Sequence, residues 1–519
     1  MKDNMDTEVL NIPEFYAGRS IFITGGSGFL GKAFIEKLMR SCPDFKEIFL
    51  LMRPKKGMSI DERLHKILSS PLYDKVRETN PSAFKKLIPV LGDAAKEGLG
   101  LDSIQRQVLT DRVSVIFHVA ANVRFDDSLR DAVFVNTRST RDICILAGSM
   151  KKLVALLHVS STYAHADRHV VEEIFYPSDV DWRKTIKIAE NVDNNLLKIL
   201  TAKYLGTTPN TYTFTKRLAE SVINDYSDRL PCVIARPSVV ISTIEDPIAG
   251  WLDNFHGPTG LMVGGGKGVL RTIYADPDIV MDYMPIDVAI KAMIAVCCKR
   301  GRVTLAKDPS LHIYNCASNN FSTLSMKQVV AVSLKQNETI PLDYCIWQPN
   351  TQVTKCYYYF YINMLIFHLI PALIIDEILK FAGHRPILLR LQRQIFVANV
   401  SISYFTLNQW QFRHKKVIEL TSKLSGPDMA FYYNYHNFQV TDFLKNAIIG
   451  AKKYLLREDI NQLEKARKHQ NRMWLIDRIC KVLWVVFLIW AFDLFGYFWS
   501  LCGVIDDMIH FSISDRPIS

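Results

Sequence analysis

From Ser20 to about Pro237 the chain alternates short apolar runs with amphipathic ones. Ser20–Thr24, Glu47–Met52, Lys86–Val90, Val113–Val119, Leu153–Val159 and Cys232–Arg236 are short, β-rich and nearly continuous in apolar residues. Such runs predict strands covered on both faces. Between them, Phe29–Arg40, Ile60–Ser69, Arg130–Ala147 and Tyr212–Tyr226 read as helices. Strand–helix alternation of this kind predicts an α/β fold, a doubly wound parallel sheet.

The pattern then changes. From Glu245 to about Ala306 the chain reads as loop-rich, and includes "GPTGLMVGGGKG", Gly257–Gly268. Loops inserted beyond the last strands of such sheets commonly shape a substrate pocket. These glycines also resemble a second phosphate cradle, but no strand closely precedes them. Beyond about Ser318, long helical segments continue to about Gln470 and predict a second, helical domain. Within it Cys356–Ile375 runs for 20 residues without Asp, Glu, Lys or Arg. That length qualifies as a membrane span. Asn363, His368 and Pro371 interrupt it, so the preferred reading is a buried or interfacial helix pair broken at Pro371.

Leu483–Ile505 is more uniform: 23 residues with one charge, Asp493, and thirteen Leu, Ile, Phe or Val. At about 0.3–0.6 kcal/mol each these favour insertion by about 4–8 kcal/mol, against about 3 kcal/mol for the aspartate. Insertion is expected. Six Lys or Arg precede the span in Lys465–Lys481, and Asp506 and Asp507 follow it. Positive flanks stay inside, so the body of the protein is expected in the cytosol. A hairpin returning to the same leaflet is the other reading of this run.

At 519 residues the chain is long enough for two or three units, and its net charge is +11. The basic balance favours acidic small molecules and anionic membrane surfaces as partners, with no nucleic acid expected. Ten cysteines show no C-x-x-C pair, so neither a metal site nor a disulfide framework is expected. Met1–Arg19 lacks the apolar core of a secretion signal. N-x-S/T matches at Asn320, Asn337 and Asn399 are read as chance rather than glycosylation.

Candidate chemistry begins at "TGGSGFLGK", Thr24–Lys32. A strand, a glycine cluster and a helix describe a tight turn whose helix N-terminus suits a pyrophosphate. In "TYTFTKRLAE", Tyr212 and Lys216 lie four apart and share one helix face. A nearby ammonium would lower the phenol's pKa from about 10. The same spacing also suits an ordinary surface Tyr and Lys. "HVSSTYAH", His158–His165, places hydroxyls at a strand's C-terminal edge, where ligands of open parallel sheets bind. His158 and His165 read as structural. "FHVAANVRF", Phe117–Phe125, ends another strand in small residues, as though backbone must approach a flat ligand.

Together these motifs resemble the extended short-chain dehydrogenase/reductases, Rossmann proteins. Their T-G-x-x-G-x-x-G falls on Thr24, Gly25, Gly28 and Gly31, with Phe29 and Leu30 inside it. Their catalytic set falls on Ser161, Tyr212 and Lys216, with Lys216 also holding the cofactor ribose. Asp93 and Ala120 are the further cofactor contacts this resemblance implies. After the second strand, "LLMRPKK" offers Arg53, with Lys55 and Lys56 behind it, in place of a ribose-binding carboxylate. A guanidinium there suits a 2′-phosphate, so NADPH is expected.

"FYAGRSIFITGGSGFLGK", "RFDDSLRDAV", "NTYTFTK", "IARPSVV" and "GWLDNFHGPTGL" are similar to eukaryotic fatty acyl-CoA reductases. "YFTLNQWQF" and "GAKKYLL" resemble that family's male-sterility-type C-terminal domain. The family commonly reads H-V-S-T-A-Y where this chain has H-V-S-S-T-Y, so Ser161 takes the threonine position and Thr162 is a competing hydroxyl. The resemblance implies a catalytic unit over 13–317, a helical unit over 318–470 and an anchor over 483–505. It implies reduction of long-chain acyl-CoA to a primary alcohol with two NADPH, on the membrane of the endoplasmic reticulum or peroxisome, the catalytic domain facing the cytosol. Homo-oligomerisation is left open. Another extended reductase acting on steroids or nucleotide sugars, and a membrane-tethered lipid-binding protein with an inactive reductase domain, are the alternatives.

Overall fold

A computed structural model describes residues 10–514 apart from 56, 304, 319–323 and 433–437, with side chains described as far as Asp493. Lys56, Asn320 and the side chains of Asp506 and Asp507 therefore lie outside the described residues. Seven parallel strands form the central sheet: β1 (Ser20–Thr24), β2 (Glu47–Met52), β3 (Leu87–Leu91), β4 (Val113–His118), β5 (Ala155–Val159), β6 (Cys232–Pro237) and β7 (His312–Cys316). Their spatial order is β7-β6-β5-β4-β1-β2-β3. The order reverses between β1 and β4, where Thr24 pairs with His118. A crevice opens at such a reversal, and dinucleotides bind there.

Burial on both faces explains the continuous apolar strands. Ile21, Ile23, Val115, Phe117, Leu157 and Val233 enter one core, while Phe22, Phe49, Ile116, Leu156 and Ile234 enter the other. Side chains alternate across a strand, so each strand must be apolar at every position to feed both layers.

Three readings need correction. The stretch expected to be loop-rich holds the 17-residue helix Ile286–Arg302, with thirteen of its residues buried. It is apolar on nearly every side because it fills the first core, and so it shows no amphipathic stripe. Strand β7 was not anticipated. The expected break at Pro371 is also absent: Tyr357–Asn363, a π turn over Met364–Leu369 and Ile370–Phe381 form one continuous helix. Pro371 would clash with the carbonyl four residues back, Phe367, and that residue lies in the wider π turn, which relieves the clash.

This helix and Leu388–Thr406 pack antiparallel, with Phe360 against Phe396 and His368 Nδ1 2.9 Å from Gln392 Oε1. Helix Tyr357–Phe381 is long and apolar enough to cross a membrane by length and composition, with a mean hydropathy of 1.9 and 28% of its most apolar window buried. The later segments interlock with the sheet region. Gln411–Phe412 pairs with Val170–Val171, and Asp428 Oδ1 accepts from the Ile12 amide. A single helix, Leu463–Ser514, ends the described chain. Asn337 and Asn399 are buried, which agrees with reading their motifs as chance.

Candidate active site

The glycine turn leaves β1 at the strand reversal. Gly25 adopts φ +76°, and a Cβ there would lie 2.6 Å from the Ala120 amide nitrogen. A Cβ on Gly31 would lie 2.2 Å from the Gly25 carbonyl oxygen. Side chains at either position would push the turn away from β4 or the helix away from the turn. Gly28 caps helix Phe29–Ser41 with extended backbone, and Phe29 stacks on Trp251 at 5.2 Å. Leu30 is half-buried on the first turn. The buried Thr24 hydroxyl lies 2.7 Å from His118 Nδ1 and accepts from the Ala120 amide at 3.2 Å. The small residues that end β4 thus fit the glycine turn. A helix N-terminus framed by backbone this close is a cradle that suits a pyrophosphate.

Beyond β2, Arg53 is two-thirds exposed, with one guanidinium nitrogen 3.5 Å from Asp93. A second guanidinium, missed in the sequence, faces the same place. Arg63 donates to the Arg53 carbonyl at 2.6 Å and to the Ser27 hydroxyl of the glycine turn at 2.9 Å. Its pKa is lowered, chiefly by desolvation and then by the charge of Arg53. No sequence motif marks it, because it lies ten residues on, inside helix Ile60–Leu68. Two cations meeting with a single carboxylate beside them fit a phosphate better than a ribose hydroxyl.

At the C-terminal edge of β5, the buried Ser161 hydroxyl accepts from the Tyr163 amide at 3.2 Å and stands close enough to Tyr212 to draw the phenol's pKa down. Thr162, the competing hydroxyl, is buried and its oxygen has no partner. Asn210 caps helix Thr211–Tyr226, its side chain accepting from the Thr213 amide at 2.9 Å, and so aims Tyr212 and Lys216 at this edge.

The expected electrostatics need correction. Burial pushes the Tyr212 phenol up to about 12, opposed by the neighbouring Ser161 hydroxyl, and Lys216 does not lower it. Lys216 instead donates to the Val159 carbonyl at 2.6 Å. Burial lowers its own pKa to about 8, against the raising pull of Glu220. Four residues of helical spacing put both groups on one face, yet the ammonium is spent on the strand carbonyl rather than the phenol. Tyr212 is therefore protonated near neutral pH, as a proton donor requires.

Supporting groups surround the pair. Asn136, on a π turn over Val133–Arg138, donates to the Thr215 hydroxyl at 2.9 Å, beside Lys216. Glu220 is fully buried and accepts from Arg236 Nε at 2.8 Å, Arg236 Nη2 at 2.6 Å and the Ser160 hydroxyl at 2.5 Å. Burial would raise its pKa, but Arg236 and His165 outweigh this and hold it well below the usual range. Burial keeps His165 low against the pull of Glu220, so Arg236 is the charge partner. His165 is structural, as read. His158 is buried with neither ring nitrogen partnered, 5.3 Å from the His118 ring.

The later part of the chain roofs the site. Phe125 lies 5.8 Å from the Tyr212 ring and 5.2 Å from Phe405, while Tyr163 packs on Phe405, Trp410 and Phe412. Val239 joins this aromatic cluster, and its strand Val239–Ile241 runs on to the wall of a partly open apolar cavity. Helices Pro258–Gly266, Met326–Thr339 and Val440–Gly450 line it with residues such as Leu261, Val263, Val330, Leu334, Phe443 and Ile448. Glycines of Gly257–Gly268 serve this packing: a Cβ on Gly266 would lie 2.9 Å from Leu342 Cδ1, both residues lining the cavity.

Residues 23–293 match the family model described as male sterility protein, and residues 367–458 match a second model of the same description. Fatty acyl-CoA reductase 1 of Xenopus laevis is 36% identical over 469 residues, covering 90% of each chain. The Homo sapiens protein of that name is 35% identical with the same coverage. Among solved structures, the terminal R domain of the myxalamid PKS-NRPS pathway aligns with TM-score 0.55 at 16% identity, covering 85% of this chain and 93% of that one. A reductase domain of a nonribosomal peptide synthetase from Mycobacterium tuberculosis aligns equally well, covering 86% and 96%. The structural likenesses support the fold, and the sequence likenesses the family: this chain belongs to the fatty acyl-CoA reductases, oxidoreductases that work with a nicotinamide dinucleotide.

Proposed function

We propose that the protein reduces long-chain acyl-CoA to a primary alcohol and CoA, using two NADPH and passing through the aldehyde. The observation that supports this is Ser161 at the C-terminal edge of β5 beside Tyr212, with Lys216 one helical turn on and bound to the last residue of that strand, in a chain of this family. NADPH bound at that turn would supply hydride, first to the thioester carbonyl and then to the aldehyde. Arg53 and Arg63 would hold its 2′-phosphate. Gly25, Gly28 and Gly31, with Thr24, Phe29, Leu30, Asp93 and Ala120 around them, would hold the rest of the dinucleotide.

The chain's own groups act on the substrate oxygen. As negative charge develops there, the hydroxyls of Ser161 and Tyr212 donate hydrogen bonds to it. Collapse of the hemithioacetal expels CoA thiolate and leaves the aldehyde. In the second reduction Tyr212 gives its proton to the alkoxide as general acid. Lys216, charged below about pH 8, orients the ribose and replenishes the proton donor. The apolar cavity takes the acyl chain. Its wall of aliphatic residues suits hydrocarbon and offers little to a nucleotide sugar.

The helix Leu463–Ser514 carries exposed apolar side chains between Val482 and Phe492, including Leu483, Trp484 and Phe487. This supports a membrane anchor over 483–505, and the six Lys or Arg of Lys465–Lys481 before it favour a catalytic part in the cytosol, where acyl-CoA and NADPH are found. Oxidation of NADPH should be followed in parallel with palmitoyl-CoA, a sterol ketone and a UDP-sugar. Turnover with palmitoyl-CoA alone is expected; turnover with only the sterol or the sugar would overturn the proposal.

A further inference from the structure

Helix Tyr357–Phe381 is built inside out. The face turned toward the protein carries Asn363, His368 and Asp376, all buried, beside Phe360 and Ala372. The outward face carries Tyr358, Ile362, Leu365, Leu373, Ile374 and Phe381, exposed by between 42% and 97%. The inward polar groups find their partners within the protein, His368 Nε2 alone being buried without one. Asn363 donates to the Tyr359 carbonyl at 2.9 Å, His368 meets Gln392, and Asp376 accepts from the amides of Ile387, Leu388 and Leu389. Helix Ile60–Leu68 does the reverse, burying Leu64 and exposing Asp61 and Glu62. A helix with hydrogen bonds inside and hydrocarbon outside is matched to an apolar solvent.

We propose that the hairpin Tyr357–Thr406 is a second membrane contact, lying flat in the interface of the bilayer that holds the tail. Three observations select lipid as the occupant. First, the face is continuous with the tail helix: Arg271 pairs with Asp477 at 3.3 Å and lies over the Phe367 ring at 5.2 Å. Trp347 also donates to Asp477, at 2.6 Å, and the exposed apolar run of the tail begins five residues later at Val482. Second, the connecting end of the hairpin is basic, with Lys380, Arg385, Arg390 and Arg393 exposed. Such a rim suits anionic headgroups, and long cationic side chains reach them from buried stems. Third, exposed Tyr357, Tyr358 and Tyr359 mark the other end with rings that settle at the lipid–water boundary.

The hairpin rests on the surface and does not cross. Its inner face is fastened to the body, with Phe360 stacked on Tyr274 at 5.1 Å and Gln392 donating to the Val269 carbonyl at 3.1 Å. Interfacial helices of this kind sink about 5–10 Å. Strands Thr272–Tyr274 and Gln352–Thr354 lie beneath the hairpin, and Ile273 and Thr351 of this layer also wall the apolar cavity. One layer of protein therefore separates the proposed acyl site from lipid, a short route for an alcohol product. The inference rests on the tail anchor proposed above and is independent of the reaction.

The test uses the full chain in phosphatidylcholine vesicles with and without phosphatidylglycerol. Cys356, Cys480 and Cys502 are replaced by alanine, and an environment-sensitive fluorophore is placed at Ile374→Cys. Ile104→Cys, 75% exposed on the sheet unit, is the aqueous control, and Val486→Cys reports the tail. Nitroxide lipids labelled near the headgroup should quench the Ile374 probe several-fold more than the Ile104 probe, and more strongly with phosphatidylglycerol present. Quenching no greater than at Ile104, with the Val486 probe quenched, overturns the hairpin contact and leaves the tail anchor standing. Strongest quenching from nitroxides at the acyl-chain ends would mean that the helix crosses, and overturns the flat geometry. Energy transfer between Ile374 probes on two chains without lipid quenching would assign the face to a second copy and also overturn it. Reductase activity is measured on the same samples, so failure of the reaction is read separately.

Discussion

Replacing Arg63 with alanine tests how the cofactor is chosen. Arg63 is half-buried and held at two points, the Arg53 carbonyl at 2.6 Å and the Ser27 hydroxyl at 2.9 Å. Arg53 is two-thirds exposed and touches Asp93 only at 3.5 Å. A preorganised guanidinium loses less side-chain entropy on meeting a phosphate, and an exposed one is screened by water. Arg63 should therefore carry the larger share of the 2′-phosphate interaction. A hydrogen bond to a charged group is worth about 1.5–3 kcal/mol, which converts to about ten- to hundredfold in affinity. Arg63→Ala should weaken NADPH by that factor and leave NADH within about threefold, while Arg53→Ala should fall at the lower end of the range. Both dissociation constants can be read from quenching of intrinsic fluorescence on titration. Equal losses for NADPH and NADH would make Arg63 a brace for the glycine turn and refute the phosphate reading.

Three further outcomes follow from the site. Tyr212→Phe keeps the ring against Phe125 but removes the proton, so turnover should fall by about 10²–10⁴ with NADPH affinity unchanged; near-normal turnover would exclude Tyr212 as the acid. Glu220→Gln strands the buried Arg236 charge and should cost about 3–5 kcal/mol of stability, seen as a lower denaturant midpoint; an unchanged midpoint would show that the ion pair is dispensable. Because burial holds Lys216 down at about 8, its ammonium is lost as pH rises through that value, and kcat/KM for NADPH should decline above it. Lys216→Arg should remove this decline, and a wild-type profile flat from pH 7 to 10 would contradict the assignment of that charge.

The sheet was legible because burial on two faces demands apolar residues at every strand position, a pattern no surface strand shows. Strand β7 escaped notice: His312–Cys316 is five residues long, and His312 and Asn315 break its apolar run. Asn315 is tolerated because its side chain donates to the Val171 and Arg413 carbonyls at 3.0 Å and 2.7 Å. Helix Ile286–Arg302 was hidden by the opposite excess, since a helix buried all round loses its period. Gly25 and Gly31 were legible because a turn pressed against backbone admits nothing larger. Arg63 was not, since its meaning comes from a contact with Ser27 across 36 positions of chain. The sign of the Tyr212 shift was misjudged for a related reason: spacing put Lys216 on the same face, but only the fold shows the Val159 carbonyl competing for it.

The proposed reaction is a four-electron reduction carried to the alcohol by one site. It is tested most directly by incubating the full-length protein in mild detergent with palmitoyl-CoA and excess NADPH. NADPH loss is followed optically, released thiol by a disulfide reagent, and lipid products by gas chromatography. Hexadecanol is expected as the product, with two NADPH consumed for each CoA released and no free aldehyde building up. One NADPH per CoA with hexadecanal accumulating, or CoA release without NADPH loss, would contradict it.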